Sequence, residues 1–255
     1  MGERQVAIRV ENIEKIFDGR KVLDNVTFDV YQGETFVLMG GSGSGKSTLL
    51  RIMTGAITPE KGRVHFGAQE LSRLSAEKLE KLKRRFGMSF QSSALLDFLS
   101  VEENVSLPLR EHTGLDDKII GIIARMKLSL VGLQGFEHFY PSQLSGGMRK
   151  RAGLARAIAM DPEVVFYDEP TAGLDPVVCA VVDRLIKDLT KKLNLTSVVV
   201  THNMESIWRI ADRVAMVYQG KVLEIGAPEE IRRSSNPVVQ QFIHGKIEGP
   251  IQITE

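Results

Sequence analysis

The sequence is poor in several things, and each shortage removes a class of protein. It has a single cysteine, Cys179. No disulfide can close within the chain, which fits a reducing compartment. Cys179 itself reads as a small hydrophobe on a helix rather than a reactive thiol. No run approaches the ~18 apolar residues that a bilayer span requires, so the sequence predicts a soluble chain, any membrane role of which must come through a partner. Met1-Gly2-Glu3-Arg4-Gln5 lacks the apolar stretch of a signal peptide, and Val6 stands where N-myristoylation wants Ser or Thr. Charge of either sign is not in excess: 33 Lys and Arg against 32 Asp and Glu leave +1. That gives no support to a nucleic-acid binder working through overall charge. Internal repeats and low-complexity tracts are also absent, which argues against solenoids and disordered tails.

What remains is a chain of 255 residues with 43% hydrophobic content, enough to build a core in one compound domain or two small ones. Its most informative stretch is Gly40-Gly41-Ser42-Gly43-Ser44-Gly45-Lys46-Ser47-Thr48. This satisfies the phosphate-loop pattern G-x-x-x-x-G-K-[ST] at every required position. Before it, Thr35–Met39 is a short apolar run with β-formers; after it, Ser47–Met53 reads as a helix stopped by Gly55. Strand, glycine loop and helix in that order make a phosphate cradle. The glycines let consecutive N–H groups point inward, and the helix N-terminus adds partial positive charge. Lys46 then reaches the β- and γ-phosphates and the Ser47 hydroxyl ligates Mg2+. The competing reading, a plain flexible Gly/Ser loop, is disfavoured by the flanking strand and helix.

Along the chain, Val6–Val10 and Val26–Val30 read as strands. Between them Phe17 sits beside a turn at Asp18-Gly19, suited either to stacking on a planar base or to packing under a hairpin. Gly62–Gly67 alternates as a strand; Ser75 caps a charged helix to Arg85, whose basic residues make a solvated face; Phe86–Phe90 returns to strand, ended by Gln91. From Ser92 to Met160 the pattern turns helical, with a capping box at Ser100-Val101-Glu102-Glu103, a break or kink at Pro108, a second helix over Asp116–Leu130 and an Ala- and Arg-rich helix over Met148–Met160. This segment looks like a helical subdomain inserted between strands of a nucleotide-binding core. The core resumes with the apolar strand Val164–Tyr167, a helix over Val177–Leu193, the buried strand Ser197–Thr201 before His202, a short helix over Met204–Ile210, and a hairpin around Gln219-Gly220. Small helices start at Pro228 and Asn236-Pro237, and a tail of uncertain structure follows.

Two further signals carry chemistry. The strand ending in Asp168-Glu169 fixes two acids at a stiff tip, where Asp168 holds Mg2+ through its waters and Glu169 polarises an attacking water. Leu144-Ser145-Gly146-Gly147 sets a hydroxyl and two small residues before a helix, which is either a second anion site or a cap without a ligand.

Gly40–Thr48, Gln91, Leu144–Gly147, Asp168-Glu169-Pro170-Thr171, Gly173-Leu174-Asp175 and His202 stand in the order and approximate spacing of ABC-transporter nucleotide-binding subunits. The resemblance runs from Val6 to about Ile231. It implies an α/β fold: a P-loop NTPase (RecA-like) core, an N-terminal antiparallel β subdomain and an inserted α-helical subdomain. The corresponding division is an ATPase domain over 1–235, with core 1–91 and 161–235 and helical insert about 92–160, then a tail over 236–255. It further implies two copies head to tail around two ATP, each nucleotide lying between one phosphate loop and the other copy's Ser145, Gly146 and Gly147. Gln91 matches the glutamine that senses the γ-phosphate and couples to the membrane domain, and Mg2+ falls to Ser47, Gln91 and Asp168. Glu169 matches the catalytic base, His202 the residue holding γ-phosphate and water, Asp175 the link between sites, and Phe17 the adenine-stacking aromatic.

The chain departs from the family pattern in three places: Met148 replaces the usual Gln, Phe166-Tyr167 replace aliphatic residues, and Phe17 stands where Tyr is commoner. None of these side chains is in the phosphate-contacting set. Leu107–Thr113, Ser145–Met148 and the tail from Phe242 to Pro250 resemble the ATPases of Mla-type (MCE) phospholipid-trafficking transporters. That resemblance implies a homodimer at the cytoplasmic face of a bacterial inner membrane, with a permease of the MlaE type, an MCE-domain protein and a STAS-domain partner of the MlaB type, and no nucleic acid. Ser93–Leu99 either receives the permease or packs beneath the helical segment. The rivals are the ATPase of another ABC importer or exporter, a soluble ABC ATPase acting on ribosomes or DNA, and a non-hydrolysing module. A single cassette without heptads and with balanced charge counts against the second; intact Lys46, Glu169 and His202 count against the third.

Overall fold

The computed structural model describes residues 4–252. Residues 1–3, which open the stretch read as lacking a leader, and 253–255, the end of the tail, lie outside the described residues. The chain divides into two compact units, Met1–Arg73 with Val200–Glu255, and Leu74–Val199. The strands in chain order are β1 (Val6–Phe17), β2 (Arg20–Tyr31), β3 (Thr35–Met39), β4 (Lys61–Phe66), β5 (Gln69–Glu70), β6 (Phe86–Ser89), β7 (Val164–Asp168), β8 (Thr196–Thr201), β9 (Arg213–Tyr218) and β10 (Lys221–Gly226). The helices are α1 (Lys46–Met53), α2 (Ala76–Lys83), α3 (Val101–His112), α4 (Asp117–Leu130), α5 (Gly146–Ala157), α6 (Pro176–Lys192), α7 (Met204–Ile210), α8 (Pro228–Arg232) and α9 (Pro237–His244).

The first unit contains an antiparallel sheet in the order β2-β1-β4-β5. β1 and β2 turn on Asp18-Gly19, both at positive φ (48° and 77°), the turn geometry whose twist suits a hairpin. Both strands are 12 residues long, well beyond the 6–10 and 26–30 expected. The reason is bulging. Their pairing shifts between Val10 and Ile13, and Asn12 and Asn25 lie at φ 49° and 52°. Each extra residue resets the inward–outward alternation, so one strand reads as fragments. Phe17 therefore ends a strand rather than lying between two.

In the same unit β3 runs parallel to β9, from Phe36 beside Arg213 to Met39 beside Met216, and β10 returns antiparallel along β9. All five residues of β3 are buried, as the continuous apolar run of a strand covered on both faces demands. Past α9, the side chain of Gln241 folds the chain back. Its Nε2 donates to the carbonyls of Lys246 and Ile251 (3.2 Å each), and its Oε1 accepts from the Ile251 N–H (2.6 Å). One buried amide thus organises much of the stretch read from sequence as a tail of uncertain structure.

In the second unit β6 is parallel to β7, and the strand order is β8-β7-β6, β8 beginning in this unit. Val164, Val165, Phe166 and Tyr167 are all buried, and Phe166 meets Phe86 edge-on at 5.5 Å. The aromatic pair that departs from the family pattern is therefore core; burial pushes the Tyr167 phenol well above its usual range. α3, α4 and α5 pack on one another, and α3 opens with the capping box: the Ser100 N–H donates to Glu103 (2.7 Å) and Ser100 Oγ accepts from the Glu103 N–H (3.2 Å). α3 runs on through Pro108, so of the break or kink expected there the break does not occur. Proline removes one ladder bond, but the buried stripe of Val101, Val105 and Leu109 holds the helix by packing. α2 stops at Lys83 instead of Arg85; the Arg85 carbonyl accepts from the Glu163 N–H (2.9 Å), and its side chain makes a bidentate pair with Glu163 (2.6 and 2.7 Å). α5 spans Gly146–Ala157 rather than Met148–Met160, so the two glycines form its first turn instead of preceding it.

Candidate functional site

The phosphate loop leaves β3 at Gly40. A Cβ there would lie 2.2 Å from the Val217 carbonyl oxygen, so only glycine lets the loop backbone press this closely on β9. Gly45, at φ 104°, is the N-cap of α1; a Cβ there would come within 2.7 Å of Leu23 and 3.0 Å of the Val22 carbonyl. The Gly220 N–H donates to the Ser44 carbonyl at 3.1 Å and ties the loop to the β9–β10 turn. A Cβ on Gly41 or Gly43 would meet nothing within 4 Å. The loop is thus pinned at both ends and open along its middle.

Lys46 is 7% exposed and bends back over the loop, donating to the carbonyls of Gly40 (2.8 Å) and Gly41 (2.7 Å) and to Ser44 Oγ (3.3 Å). No side chain caps the start of α1. A cation held above an open glycine arc at an uncapped helix N-terminus is a receptor for a polyanion. Ser42 and Ser47 are exposed and Thr48 is half-buried. Also in this unit, Phe17 is 43% exposed, with the Lys15 ammonium over its ring 5.0 Å from the centre. His202 is exposed directly after β8, and the next residue, Asn203, caps α7 by accepting from the Ser206 N–H at 3.1 Å.

The second unit gathers the remaining candidates. Asp168 ends β7 and is half-buried; Glu169 follows at φ 47°, a left-handed position unusual for a residue with a side chain. Gln91 is exposed just beyond β6. Lys150, over which sequence reasoning passes, brings these stretches together, its ammonium donating to the carbonyls of Gln91 (2.5 Å) and Glu169 (3.3 Å). Its signal in the sequence is only a lysine inside an Ala- and Arg-rich helix, where a cation is expected on the solvent side.

Ser145 is the N-cap of α5 and accepts the Met148 N–H at 3.3 Å. Capping uses an acceptor lone pair and leaves the hydroxyl proton for another partner, so cap and anion donor are compatible roles. A Cβ on Gly147 would fall 2.6 Å from Val178, and one on Gly146 3.3 Å from Leu174. At Gly147 the close approach of α6 leaves no room for a side chain unless Val178 shifts, whereas at Gly146 Leu174, just before α6, would have to give only a few tenths of an ångström. Asp175 caps α6, its Oδ1 accepting from the N–H groups of Val177 and Val178 at 3.0 Å each. Cys179 is buried, with Sγ 3.5 Å from the carbonyls of Thr171 and Leu174.

Among the described residues no three His, Cys, Asp or Glu side chains cluster as a metal centre. Within the second unit Gln91 offers an amide oxygen and Asp168 a carboxylate, and in the first unit Ser47 offers a hydroxyl, each a hard oxygen donor of the kind that Mg2+ takes. Nor is any described helix long and apolar enough to cross a membrane.

Comparison with known proteins agrees with this geometry. Residues 23–172 match the ABC transporter family. The chain is 42% identical over 248 residues to the intermembrane phospholipid transport system ATP-binding protein MlaF of Haemophilus influenzae, covering 97% of this chain and 94% of that one. It is 39% identical over 250 residues to a probable ribonucleotide transport ATP-binding protein, mkl, of Mycobacterium leprae, covering 98% of this chain and 72% of that one. A bacterial ABC transporter cassette solved as a dimer superposes with a TM-score of 0.80 at 30% identity, over 87% of this chain and 98% of that one. The chain belongs to the ABC transporter family, and its place there is that of the ATPase cassette.

Proposed function

We propose that this chain is the ATP-hydrolysing subunit of a phospholipid-transport ABC system, working as a homodimer on the cytoplasmic face of a bacterial inner membrane. The observation that carries the ATPase reading is the built phosphate loop, with Gly40 and Gly45 fixed by close backbone approach and the Lys46 ammonium poised over it. The phospholipid reading draws on the similarity to the Haemophilus protein, which extends over nearly the whole of both chains.

In this reading the backbone of Gly40–Thr48 cradles the nucleotide phosphates, and Lys46 exchanges its loop carbonyls for the β- and γ-phosphate oxygens. Phe17 stacks on the adenine. Ser47, Gln91 and Asp168 hold Mg2+, which when bound neutralises charge on the β- and γ-oxygens. Glu169 polarises the attacking water and His202 holds the γ-phosphate side of the site. Ser145, Gly146 and Gly147 of the second copy close over the same phosphates, and Asp175 links the two sites. Each site is then complete only in the dimer.

The membrane partner is a permease of the MlaE type, with an MCE-domain protein and a STAS-domain MlaB-type protein as further members. Its support is the segment after Gln91: Phe98 is 76% exposed, while the Asn104 side chain fixes the backbone on either side of it at Leu96, Leu99 and Ser100. An apolar side chain held out on a rigid backbone suits a partner's surface.

The test is Mg2+-dependent ATP turnover by the purified chain, with Glu169→Gln expected to trap an ATP-bound dimer on size exclusion and Lys46→Ala to lose ATP binding. Unchanged turnover in either variant refutes the assignment. Purification of the membrane complex with its lipid identifies the cargo; a bound ribonucleotide in place of phospholipid would overturn the lipid reading.

A further inference from the structure

Helix α5 carries a row of residues that no phosphate role explains. Lys150, Gly153 and Arg156 recur at helical spacing on one face, and all three touch the segment that follows β6. Lys150 donates to the Gln91 carbonyl at 2.5 Å. Gly153 brings the helix so near that a Cβ there would lie 3.2 Å from the Ser93 Cβ. Arg156 donates to the carbonyls of Ser93 and Ala94, at 2.7 Å each. The segment thus strapped is under strain, since Ser93 (φ 63°) and Ala94 (φ 45°) are consecutive non-glycine residues in the left-handed region. Such a backbone persists only where its surroundings over-determine it, and α5 supplies the determinants.

Lys150 differs from its neighbours in the row by reaching a second stretch of chain. The same ammonium donates to the Glu169 carbonyl at 3.3 Å, and Glu169 is itself left-handed at φ 47°. Lys150 is only 7% exposed. Burial pushes its pKa below the usual lysine range, while the nearby Glu169, Cys179 and Asp168 act in the opposite direction. A buried ammonium beside two acids, with two of its three donors on backbone carbonyls, is a fixed strut rather than a solvated charge.

We propose that Lys150 is a positioning residue for ATP hydrolysis, its ammonium holding the backbones of Gln91 and Glu169 in one fixed relation to the helix that Ser145 caps. The proposal rests on the roles given above to Gln91, Glu169 and Ser145. Its physical content is that a displacement of the Gln91 segment cannot be absorbed locally. The strained backbone is strapped on both sides of Ser93, and the strut passes the displacement to the Glu169 carbonyl. A carboxylate displaced by an ångström polarises water poorly, so Lys150 acts on turnover without touching nucleotide.

The experiment compares Lys150→Met, which keeps the stem and removes the cation, with Lys150→Arg, which restores it, in the full chain. Steady-state ATP turnover is measured together with amide hydrogen exchange. Lys150→Met is expected to lower kcat by about tenfold or more with KM for ATP within about threefold, because the loss falls on the chemical step. Exchange should quicken in peptides over residues 91–95 and 169–173 and stay unchanged over 36–50. Lys150→Arg should return kcat to within about threefold of the unsubstituted chain. If Lys150→Met does not fold, Lys150→Gln takes its place, with the same expected loss of kcat. Full kcat in the folded neutral variant overturns the proposal. So does a loss of activity that accompanies faster exchange throughout the chain, which marks a merely structural role. Glu169→Gln in the otherwise unsubstituted chain separates the two readings. If it still turns over ATP, the assignment of Glu169 fails; if it is inactive while Lys150→Met is not, only the positioning inference fails.

Discussion

Gly40 and Gly41 are adjacent glycines of one loop, yet the structure predicts opposite outcomes for the same substitution. An alanine Cβ at position 40 would sit 2.2 Å from the Val217 carbonyl oxygen and 3.0 Å from Ser44 Oγ, at φ 153°. Ordinary carbon–oxygen contact requires roughly 1 Å more, and the obstacle is strand backbone rather than a side chain that can rotate away. Overpacking of this kind costs about 1–3 kcal/mol, and a non-glycine residue in this region of φ about as much again, so Gly40→Ala is expected to lose about 2–5 kcal/mol. For a chain of this size that lowers the midpoint of thermal unfolding by roughly 10 °C. A loop forced about 1 Å from its place also loses on the order of a hundredfold in ATP turnover. At position 41 a Cβ meets nothing within 4 Å, and the backbone lies outside the left-handed region. Gly41→Ala should therefore leave the unfolding midpoint unchanged or raise it slightly, since alanine lowers the entropy of the unfolded chain. Differential scanning calorimetry of the two variants is the assay. Equal losses at both positions, or none at Gly40, would refute the claim that close approach to β9, rather than loop flexibility, selects glycine at position 40.

The other predictions follow from single contacts. Phe17→Ala should weaken ATP binding by about tenfold, the loss typical of one base–aromatic stack, and Phe17→Trp should preserve it; an unchanged dissociation constant in Phe17→Ala assigns the ring to packing. Asp175→Ala removes the acceptor for two N–H groups at the start of α6 and should cost about 1 kcal/mol, whereas Asp175→Asn keeps the cap. Turnover lost in the stable Asn variant would then report on the link between sites, apart from the helix. The Ser100 N–H holds the Glu103 carboxylate below its usual pKa. Its contribution is therefore present above the ordinary carboxylate range and disappears as pH falls through the lower folded value. The stability gap between the native chain and Glu103→Gln should narrow on acidification; a gap independent of pH would contradict the capping box.

Much of the fold was legible because its elements carry local signals. Continuous apolar runs gave β3, β7 and β8, and Ser75, Ser100, Asp116 and Asn236 announced helix starts that the caps confirm. Two of the misread places share one cause, which is that strand pairing or packing overrode a local rule. Bulges at Asn12 and Asn25 broke the alternation that marks a strand, and the buried stripe of α3 outweighed Pro108. Phe166 and Tyr167 looked like departures from a pattern; in the core they are large side chains filling space.

The candidate site divides along the same line. The reading of Gly40–Thr48 rests on residue types at fixed spacing, because a phosphate cradle forms within a few consecutive residues, and such a pattern is visible in the sequence alone. The sequence could not say which glycines of the loop are obligatory. That depends on Val217 and Leu23, which come from elsewhere in the chain. Nor could it show that Ser145 and Asp175 serve as helix caps, or that Lys150 is a buried strut instead of a surface charge. A lysine inside a helix looks the same in sequence on either face. Only tertiary structure decides which face is covered, and with it whether the ammonium meets water or the carbonyls of Gln91 and Glu169.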